Sequence, residues 1–250
     1  MRRHITFERL HNFRDLGGYP TADGGSVRWA TLYRSDSLGK LAGPDARASD
    51  LERFRELGIE AVIDLRYPSE IARRGRHPES EPQTWHNLSI EHRPYDQVDR
   101  APDPDPWRFL ADRFAEVALD GAAEIRRALE IIATTEGPLV FHCAAGKDRT
   151  GLLAALVLAL LDVPDEHVVS DFALTELATA RFVADWKSAH PDGRLRWNGF
   201  GRAPAVVMHL FLADLRAEYG SVREYATGHV GLDPEVIGAL RERLVERAAG

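Results

Sequence analysis

The residues best suited to chemistry lie in one segment, His-Cys-Ala-Ala-Gly-Lys-Asp-Arg-Thr-Gly, at positions 142–151. It holds the only cysteine of the chain, Cys143, and Arg149 follows after five intervening residues. Small residues between them leave the backbone free to curl with its N–H groups inward, and a following helix adds a positive N-terminal end. We expect this anion loop, residues 143–149, to bind a tetrahedral dianion, with the Arg149 guanidinium donating to two oxygens.

The same spacing predicts nucleophilic attack on phosphorus. A cysteine beside a helix N-terminus and an arginine would be a thiolate at neutral pH, and Cys143 would lie beneath the bound anion. Thr150 could donate its hydroxyl to the sulfur and ease its departure, and His142 is expected to orient the loop through hydrogen bonds. The alternative for a lone cysteine is a small buried hydrophobe at a strand end, but the surrounding residues favour catalysis. The predicted phosphate-binding residues are Ala144, Ala145, Gly146, Lys147, Asp148 and Arg149.

Three motifs together resemble a known family. Residues 142–151 are similar to the signature of the cysteine-dependent protein tyrosine phosphatase superfamily. With Asn-Phe-Arg-Asp-Leu-Gly-Gly at 12–18 and Ile-Asp-Leu-Arg at 63–66, they resemble a bacterial branch of it. The resemblance implies hydrolysis of phosphotyrosine and, in some members, of phosphoserine, phosphothreonine or phosphoinositides. We expect a phosphocysteine intermediate and no metal or other cofactor.

The leaving group needs a proton, and a positioned acid contributes roughly 10²- to 10⁴-fold in rate. The resemblance assigns this role to the aspartate inside the loop, Asp148, whose carboxylate could face the leaving oxygen with Lys147 beside it. The alternative is that Asp148 caps the helix that follows. On the first interpretation, the predicted catalytic residues are Cys143, Asp148 and Arg149.

A second pair of charged residues lies at the end of a predicted strand over 61–65. Ligands bind at the C-terminal ends of parallel strands, so Asp64 is the second candidate for the acid. It could instead form an ion pair that orients Arg149. Arg66 could pair with Glu70 on a following helix, and a supporting role is the favoured interpretation for both Asp64 and Arg66.

Lys147 bears on the substrate. A lysine at this loop position also occurs in phosphoinositide phosphatases of the superfamily, where further phosphates need a counter-charge. The alternative is a solvated lysine. The predicted partners are therefore a phosphorylated protein or a phosphoinositide, and the sequence gives no prediction of oligomeric state.

Alternating strand and helix patterns surround these motifs. A buried strand over 139–141 precedes the anion loop and a buried helix over 152–161 follows it. We predict an α/β fold, a mostly parallel central sheet flanked by helices with a helical C-terminal portion. Further helices are expected at 47–57, 68–74, 107–119, 122–134, 165–189, 203–219, 221–227 and 234–247, and further strands at 31–35 and 84–90.

The chain is predicted to be one phosphatase domain over 1–250. Residues 1–45 would form a hairpin at 19–29 and a strand, 46–161 the catalytic core, and 162–250 the helical part. Residues 91–106 are expected to form an exposed loop, either a lid or a linker. Two further groups are ambiguous: Arg14, Asp15, Arg34 and Ser35 could be a buried polar network or lie on the surface, and Trp197 and Phe200 could line the substrate site or simply pack.

Composition narrows the function classes. The 250 residues carry 32 basic and 39 acidic side chains, a formal charge of −7, so no bulk attraction to nucleic acid is expected. The longest apolar stretch, 151–161, is too short to span a bilayer, and no secretory signal is evident. A single cysteine fits a reducing cytoplasm. A sulfurtransferase, an arsenate reductase and a non-catalytic phosphate-binding module remain as alternatives.

Overall fold

The computed structural model describes residues 3–78, 83–90, 97–98 and 100–247. Its main sheet has five strands in the order β1-β3-β6-β4-β5, of which the last four are mutually parallel and β1 is an antiparallel edge strand. A second sheet pairs β2 with β7 in antiparallel fashion. The strands are β1 Arg14–Asp15, β2 Ser26–Val27, β3 Leu32–Ser35, β4 Ala61–Asp64, β5 Thr84–Asn87, β6 Leu139–His142 and β7 Val245–Glu246.

Helices connect and cover these strands. The α-helices are α1 Ala48–Glu56, α2 Pro68–Arg74, α3 Pro106–Asp120, α4 Ala122–Thr134, α5 Asp148–Leu160, α6 Asp165–Ala173, α7 Thr179–Ala189, α8 Ala205–Tyr219, α9 Val222–Glu224 and α10 Pro234–Leu244. Short 3-10 helices occur at Leu38–Leu41 and Leu174–Ala178, and a π-helical turn at Tyr225–His229.

Alternate residues of the strands face two separate cores. On β6, Leu139 and Phe141 pack with the apolar faces of α3, α4, α5 and α8. Val140 lies in the second core, which includes Phe54 of α1 and Phe13 of the N-terminal segment. Helix α5 is buried on nearly every side, as expected of a helix inside the larger core. Both sheet faces are therefore covered, which confirms the predicted α/β architecture.

The register brings three strand ends to one edge of the sheet. His142 pairs with Ser35 of β3 on one side and with Asp64 of β4 on the other. The segments that leave these strands, including the anion loop, therefore start side by side. This is the edge at which open parallel sheets bind ligands.

Several predicted elements differ from the structure. The helix expected over 165–189 is interrupted by the 3-10 helix at 174–178, where the buried Thr175 accepts hydrogen bonds from the side chains of Asn12 and Arg14. The last helix ends at Leu244 rather than Arg247, because residues 245–246 pair with β2. Tertiary contacts override the local helical pattern at both places.

The predicted hairpin and loop have different outcomes. Pro20 and Ser26 form an isolated antiparallel bridge, and the Val27 amide donates to the Tyr19 carbonyl at 2.8 Å, whereas the Arg28 amide donates to Leu244 O. The chain therefore turns back within 20–26, and the hairpin over the full range 19–29 stays a prediction. Of the predicted loop at 91–106, residues 91–96 and 99 lie outside the described residues, and the lid stays a prediction. None of the helices in the described part of the chain combines the length and apolarity needed to cross a membrane.

Candidate active site

The anion loop connects the end of β6 to the start of α5. Cys143 is a free thiol, only 2% exposed, directly after His142. Asp148 is the first residue of α5, and Arg149 follows it in the first turn. The N-terminal end of a 13-residue helix therefore lies at the loop, as the sequence predicts.

Three consecutive carbonyl oxygens of the loop are held from outside it. The hydrogen bonds are Ser37 N to Ala144 O at 3.1 Å, Asn12 Nδ2 to Ala145 O and Gly146 O at 3.0 Å each, and Arg34 Nη2 to Gly146 O at 2.8 Å. The peptide bonds are all trans, and the N–H of a planar trans peptide lies opposite its C=O. The amides of residues 145–147 therefore face the other side of the loop. No residue that the structure describes accepts a hydrogen bond from them.

Gly146 is required by the close approach of the loop to β3. Its φ is +65°, and a Cβ added there would lie 2.4 Å from the carbonyl oxygen of Ser35. Any other residue would clash with backbone and strain its own conformation. This close contact sets the distance between the anion loop and the end of β3.

Arg149 is held by a carboxylate of α2. Its Nη1 and Nη2 donate to the two carboxylate oxygens of Glu70 at 2.7 and 3.0 Å, and Nη1 also donates to Leu65 O at 3.1 Å. The Tyr67 ring lies 5.0 Å from its guanidinium carbon. Burial would lower the pKa of Arg149, but Glu70 outweighs this and raises it, so the guanidinium stays charged.

These contacts correct two predicted ion pairs. Glu70 pairs with Arg149 and not with Arg66, and Asp64 does not orient Arg149. Glu70 also accepts from the Tyr67 amide at 2.8 Å, at the start of α2. The sequence showed Glu70 only as a helix residue four positions after Arg66, and this spacing suggested the wrong partner.

Asp64 is fully buried and committed to Arg66. The Arg66 Nε and Nη2 donate to its two carboxylate oxygens at 2.9 and 2.6 Å. Burial alone would raise the pKa of Asp64, but His142 and Arg66 outweigh it and lower the pKa. Asp64 Oδ2 also lies 3.6 Å from His142 Nε2. Arg66 in turn donates from Nη1 to the Ser37 hydroxyl at 2.9 Å, so the pair supports the segment that holds the loop.

His142 is neutral and turned toward its own strand end. Its Nδ1 lies 3.2 Å from the Cys143 carbonyl oxygen. Burial lowers the pKa of His142 even though Asp64 opposes this, so the ring is uncharged at neutral pH. The buried Thr150 hydroxyl has no hydrogen-bond partner among the described residues, the Cys143 sulfur included. The predicted bond from Thr150 to sulfur is therefore not formed here.

The structure contradicts the alternative interpretations of Lys147 and Asp148, a solvated lysine and a helix cap. The Lys147 side chain is 2% exposed, so it is not a solvated lysine, and its Nζ lies 3.4 Å from Asp148 Oδ1. Within the described residues, neither Nζ nor Oδ1 has a hydrogen-bond partner. Asp148 is not the cap of α5 either, because Lys147 occupies the N-cap position.

A buried network behind the loop was only partly predicted. Arg14 and Arg34 both pair with Asp171 of α6, and all three side chains are at most 1% exposed. Burial of Arg14, Asp15, Arg34 and Ser35 contradicts surface placement, but only Arg14 and Arg34 belong to this network, since Asp15 accepts from the amides of Gly17 and Ala30. Asp171 was missed because it is 157 residues from Arg14 and its sequence neighbourhood shows only a helix.

Trp197, the first residue of the other ambiguous pair, is 2% exposed and packs edge-on against Phe109. It belongs to the larger core, and Phe200, the second residue of that ambiguous pair, is partly buried and packs against the same core. Within the described residues, no group of three or more His, Cys, Asp or Glu side chains is arranged to hold a metal ion.

Comparison with known proteins assigns the family. The model of the tyrosine phosphatase family matches residues 5–246. A provisionally named tyrosine-protein phosphatase of Cupriavidus necator is 33% identical over 96% of this chain and 85% of its own length. The chain therefore belongs to the tyrosine phosphatase family and is a phosphatase, which confirms the superfamily resemblance and decides against the sulfurtransferase, arsenate reductase and non-catalytic alternatives.

The chain is also similar to two further proteins. The triple specificity protein phosphatase PtpB of Mycobacterium tuberculosis is 29% identical, over 64% of this chain and 65% of that protein. The crystal structure of TpbA from P. aeruginosa is 18% identical, covers 90% of this chain and 94% of that one, and aligns with a TM-score of 0.37.

Proposed function

We propose that the chain hydrolyses phosphomonoesters, phosphotyrosine first among them, through a phosphocysteine formed on Cys143. The observation that carries this proposal is the orientation of the loop peptides. Their carbonyls are held outward by Ser37, Asn12 and Arg34, which leaves three consecutive amides facing the opposite side beside a buried free thiol. Such preorganised donors stabilise the charge that develops in the transition state.

The reaction takes two displacements. The Cys143 thiolate attacks phosphorus, the bond from phosphorus to the leaving oxygen breaks, and Asp148 gives that oxygen its proton. A water molecule then attacks the phosphocysteine, Asp148 takes the proton of this water, and the sulfur leaves as thiolate with release of inorganic phosphate. The loop amides and Arg149 hold the phosphoryl oxygens throughout.

Asp148 suits the acid role better than Asp64. Its side chain is 22% exposed, and Oδ1 lies beside the Lys147 ammonium, so the exposed part of the carboxyl group can meet a leaving group at the mouth of the loop. Asp64 is fully buried, and its lowered pKa keeps it ionised beside Arg66. A carboxylate that is ionised and already bonded has no proton to donate.

Phosphoserine, phosphothreonine and phosphoinositides are the further substrates that we propose. The name of the PtpB relative, triple specificity protein phosphatase, supports the wider protein range. The buried Lys147 ammonium supports the phosphoinositides, because its ion pair with Asp148 Oδ1 at 3.4 Å leaves Nζ without a hydrogen-bond acceptor among the described residues, and a second phosphate would supply one. The net charge of −7 and the single cysteine support a cytoplasmic enzyme that does not bind nucleic acid. The pairing of β7 with β2 supports one phosphatase domain over 1–250.

The test compares two aryl phosphates, one with a good and one with a poor leaving group, without added metal. Cys143→Ser should abolish turnover of both. Asp148→Asn should reduce turnover of the ester with the poor leaving group by about 10²- to 10⁴-fold, and of the other ester much less. Asp64→Asn should affect both esters equally. Activity retained in Cys143→Ser would refute the covalent mechanism, and a leaving-group effect found only in Asp64→Asn would reverse the choice of acid.

A further inference from the structure

The cluster behind the anion loop carries more positive than negative charge. Asp171 accepts from Arg14 Nε at 3.0 Å and from Arg34 Nη1 at 2.6 Å. Burial would raise the pKa of Asp171, but the two arginines lower it to about 2, so the carboxylate is ionised at neutral pH. One carboxylate balances one of two guanidinium groups, and the cluster is left with a net positive charge.

The neighbouring carboxylates are engaged elsewhere. Asp36 pairs with Lys40 at 2.9 Å, and Asp15 accepts from the amides of Gly17 and Ala30 at 2.7 Å each. An uncompensated charge in the protein interior is strongly unfavourable, because desolvation is not repaid by a partner. The cluster is therefore most stable when a further negative charge lies close to it.

Arg34 is the member of the cluster that reaches the anion loop. Its Nη2 donates to Gly146 O at 2.8 Å while its Nη1 is held by Asp171. Burial and the charge of Arg14 lower the pKa of Arg34 to about 10, against the opposing charges of Asp171 and Cys143. Through Gly146, Arg34 thus contacts the loop that begins at Cys143. An anion bound in that loop would supply the missing negative charge.

We propose that Arg34 is a positioning residue of this site: it fixes the Gly146 peptide with its N–H side toward the bound phosphate, and its buried charge favours both the thiolate and that phosphate. Arg34 touches neither substrate nor the reacting atoms and acts through the loop. This inference rests on the proposed function, since it assigns to Arg34 a part in binding the phosphoryl group of that reaction.

The test measures anion affinity separately from turnover. Tungstate, a stable analogue of the phosphate dianion, is titrated calorimetrically into the wild type, Arg34→Met and Arg34→Lys. Arg34→Met leaves Asp171 paired one-to-one with Arg14, so we expect it to fold. Loss of a hydrogen bond from a charged group should weaken tungstate binding about tenfold to a hundredfold and slow the alkylation of Cys143 by iodoacetate. Arg34→Lys keeps the charge and should lose less.

Tyr19→Phe is the matched control. It removes the 3.2 Å hydrogen bond from the Tyr19 hydroxyl to the same Asp171 without touching the loop, so tungstate affinity and turnover should stay within twofold of wild type. A folded Arg34→Met with unchanged tungstate affinity overturns the proposal. If Arg34→Met does not fold, unchanged affinity in Arg34→Lys overturns it in the same way. A wild type that binds tungstate but hydrolyses no phosphomonoester refutes the proposed function instead.

Discussion

The bidentate pair between Glu70 and Arg149 gives a quantitative prediction. Glu70 occupies the end-on edge of the guanidinium through Nη1 and Nη2, and no described residue accepts from Nε. The side-on edge therefore remains for two phosphoryl oxygens, which makes Glu70 an orienting partner of Arg149 and not a competitor of the substrate. If Glu70 instead competed with the substrate for Arg149, its substitution would raise kcat/KM. One substitution at Glu70 therefore distinguishes an orienting partner from a competitor.

Glu70→Gln keeps the shape of the side chain but turns one acceptor into a donor that faces a guanidinium N–H. One hydrogen bond to a charged group is lost, about 1.5–3 kcal/mol, in a pair whose side chains are 8% and 17% exposed. We expect kcat/KM for an aryl phosphate to fall about tenfold to a hundredfold, since 1.36 kcal/mol corresponds to about tenfold. Tungstate affinity should fall in parallel.

The matched control for this prediction is Ser69→Ala, an exposed neighbour on the same helix, which should leave kcat/KM unchanged. We would measure steady-state hydrolysis and tungstate binding for both variants. Thermal unfolding would show whether each variant is folded. An unchanged or increased kcat/KM in folded Glu70→Gln would refute the orienting role.

Two further predictions concern the loop and its buried support. Gly146→Ala should lower the free energy of unfolding by at least about 1–2 kcal/mol and abolish tungstate binding, because alanine strains the φ of +65° and its Cβ meets Ser35; calorimetry and urea unfolding check both. Asp171 has a native pKa of about 2 against about 3.9 for an unfolded aspartate, so its ionised form stabilises the fold above pH 4, and this stability is lost as the pH falls toward 2. The difference of about 1.9 units corresponds to about 2.6 kcal/mol in all, of which about 2 kcal/mol is lost between pH 5 and pH 2, so urea unfolding over this range should show a fall in stability larger by about 2 kcal/mol in the wild type than in Asp171→Asn.

The residues of the anion loop could be predicted from the sequence, but the residues that contact the loop from other elements could not. Cys143, Gly146 and Arg149 could be predicted because one turn between a strand and a helix contains them all. Glu70 and Asp171 contact the site from helices whose patterns carry no sign of a carboxylate that pairs with a distant arginine. Their roles depend on tertiary distances that only the assembled sheet and helices define.

The same reasoning explains which alternatives the sequence left open. For Lys147 and Asp148 the choice turned on burial and on the exact start of α5, and element boundaries are the least determined part of a sequence pattern. For Asp64, the choice depended on which arginine side chain lies within ion-pair distance of its carboxylate. The adjacent Arg66 takes this carboxylate, and Arg149 therefore needs one from α2.

The distribution of buried charge then connects the fold to the proposed chemistry. Around the anion loop, Asp64 balances Arg66 and Glu70 balances Arg149, pair by pair. Lys147 lies 3.4 Å from the partly exposed Asp148, and one cationic group is left over, the second guanidinium on Asp171. A chain with a net charge of −7 thus keeps its unbalanced positive charge in the interior, next to three amides that lack acceptors among the described residues. Because buried charges are little screened by salt, binding of a dianion there should depend much less on ionic strength than binding to an exposed basic patch would.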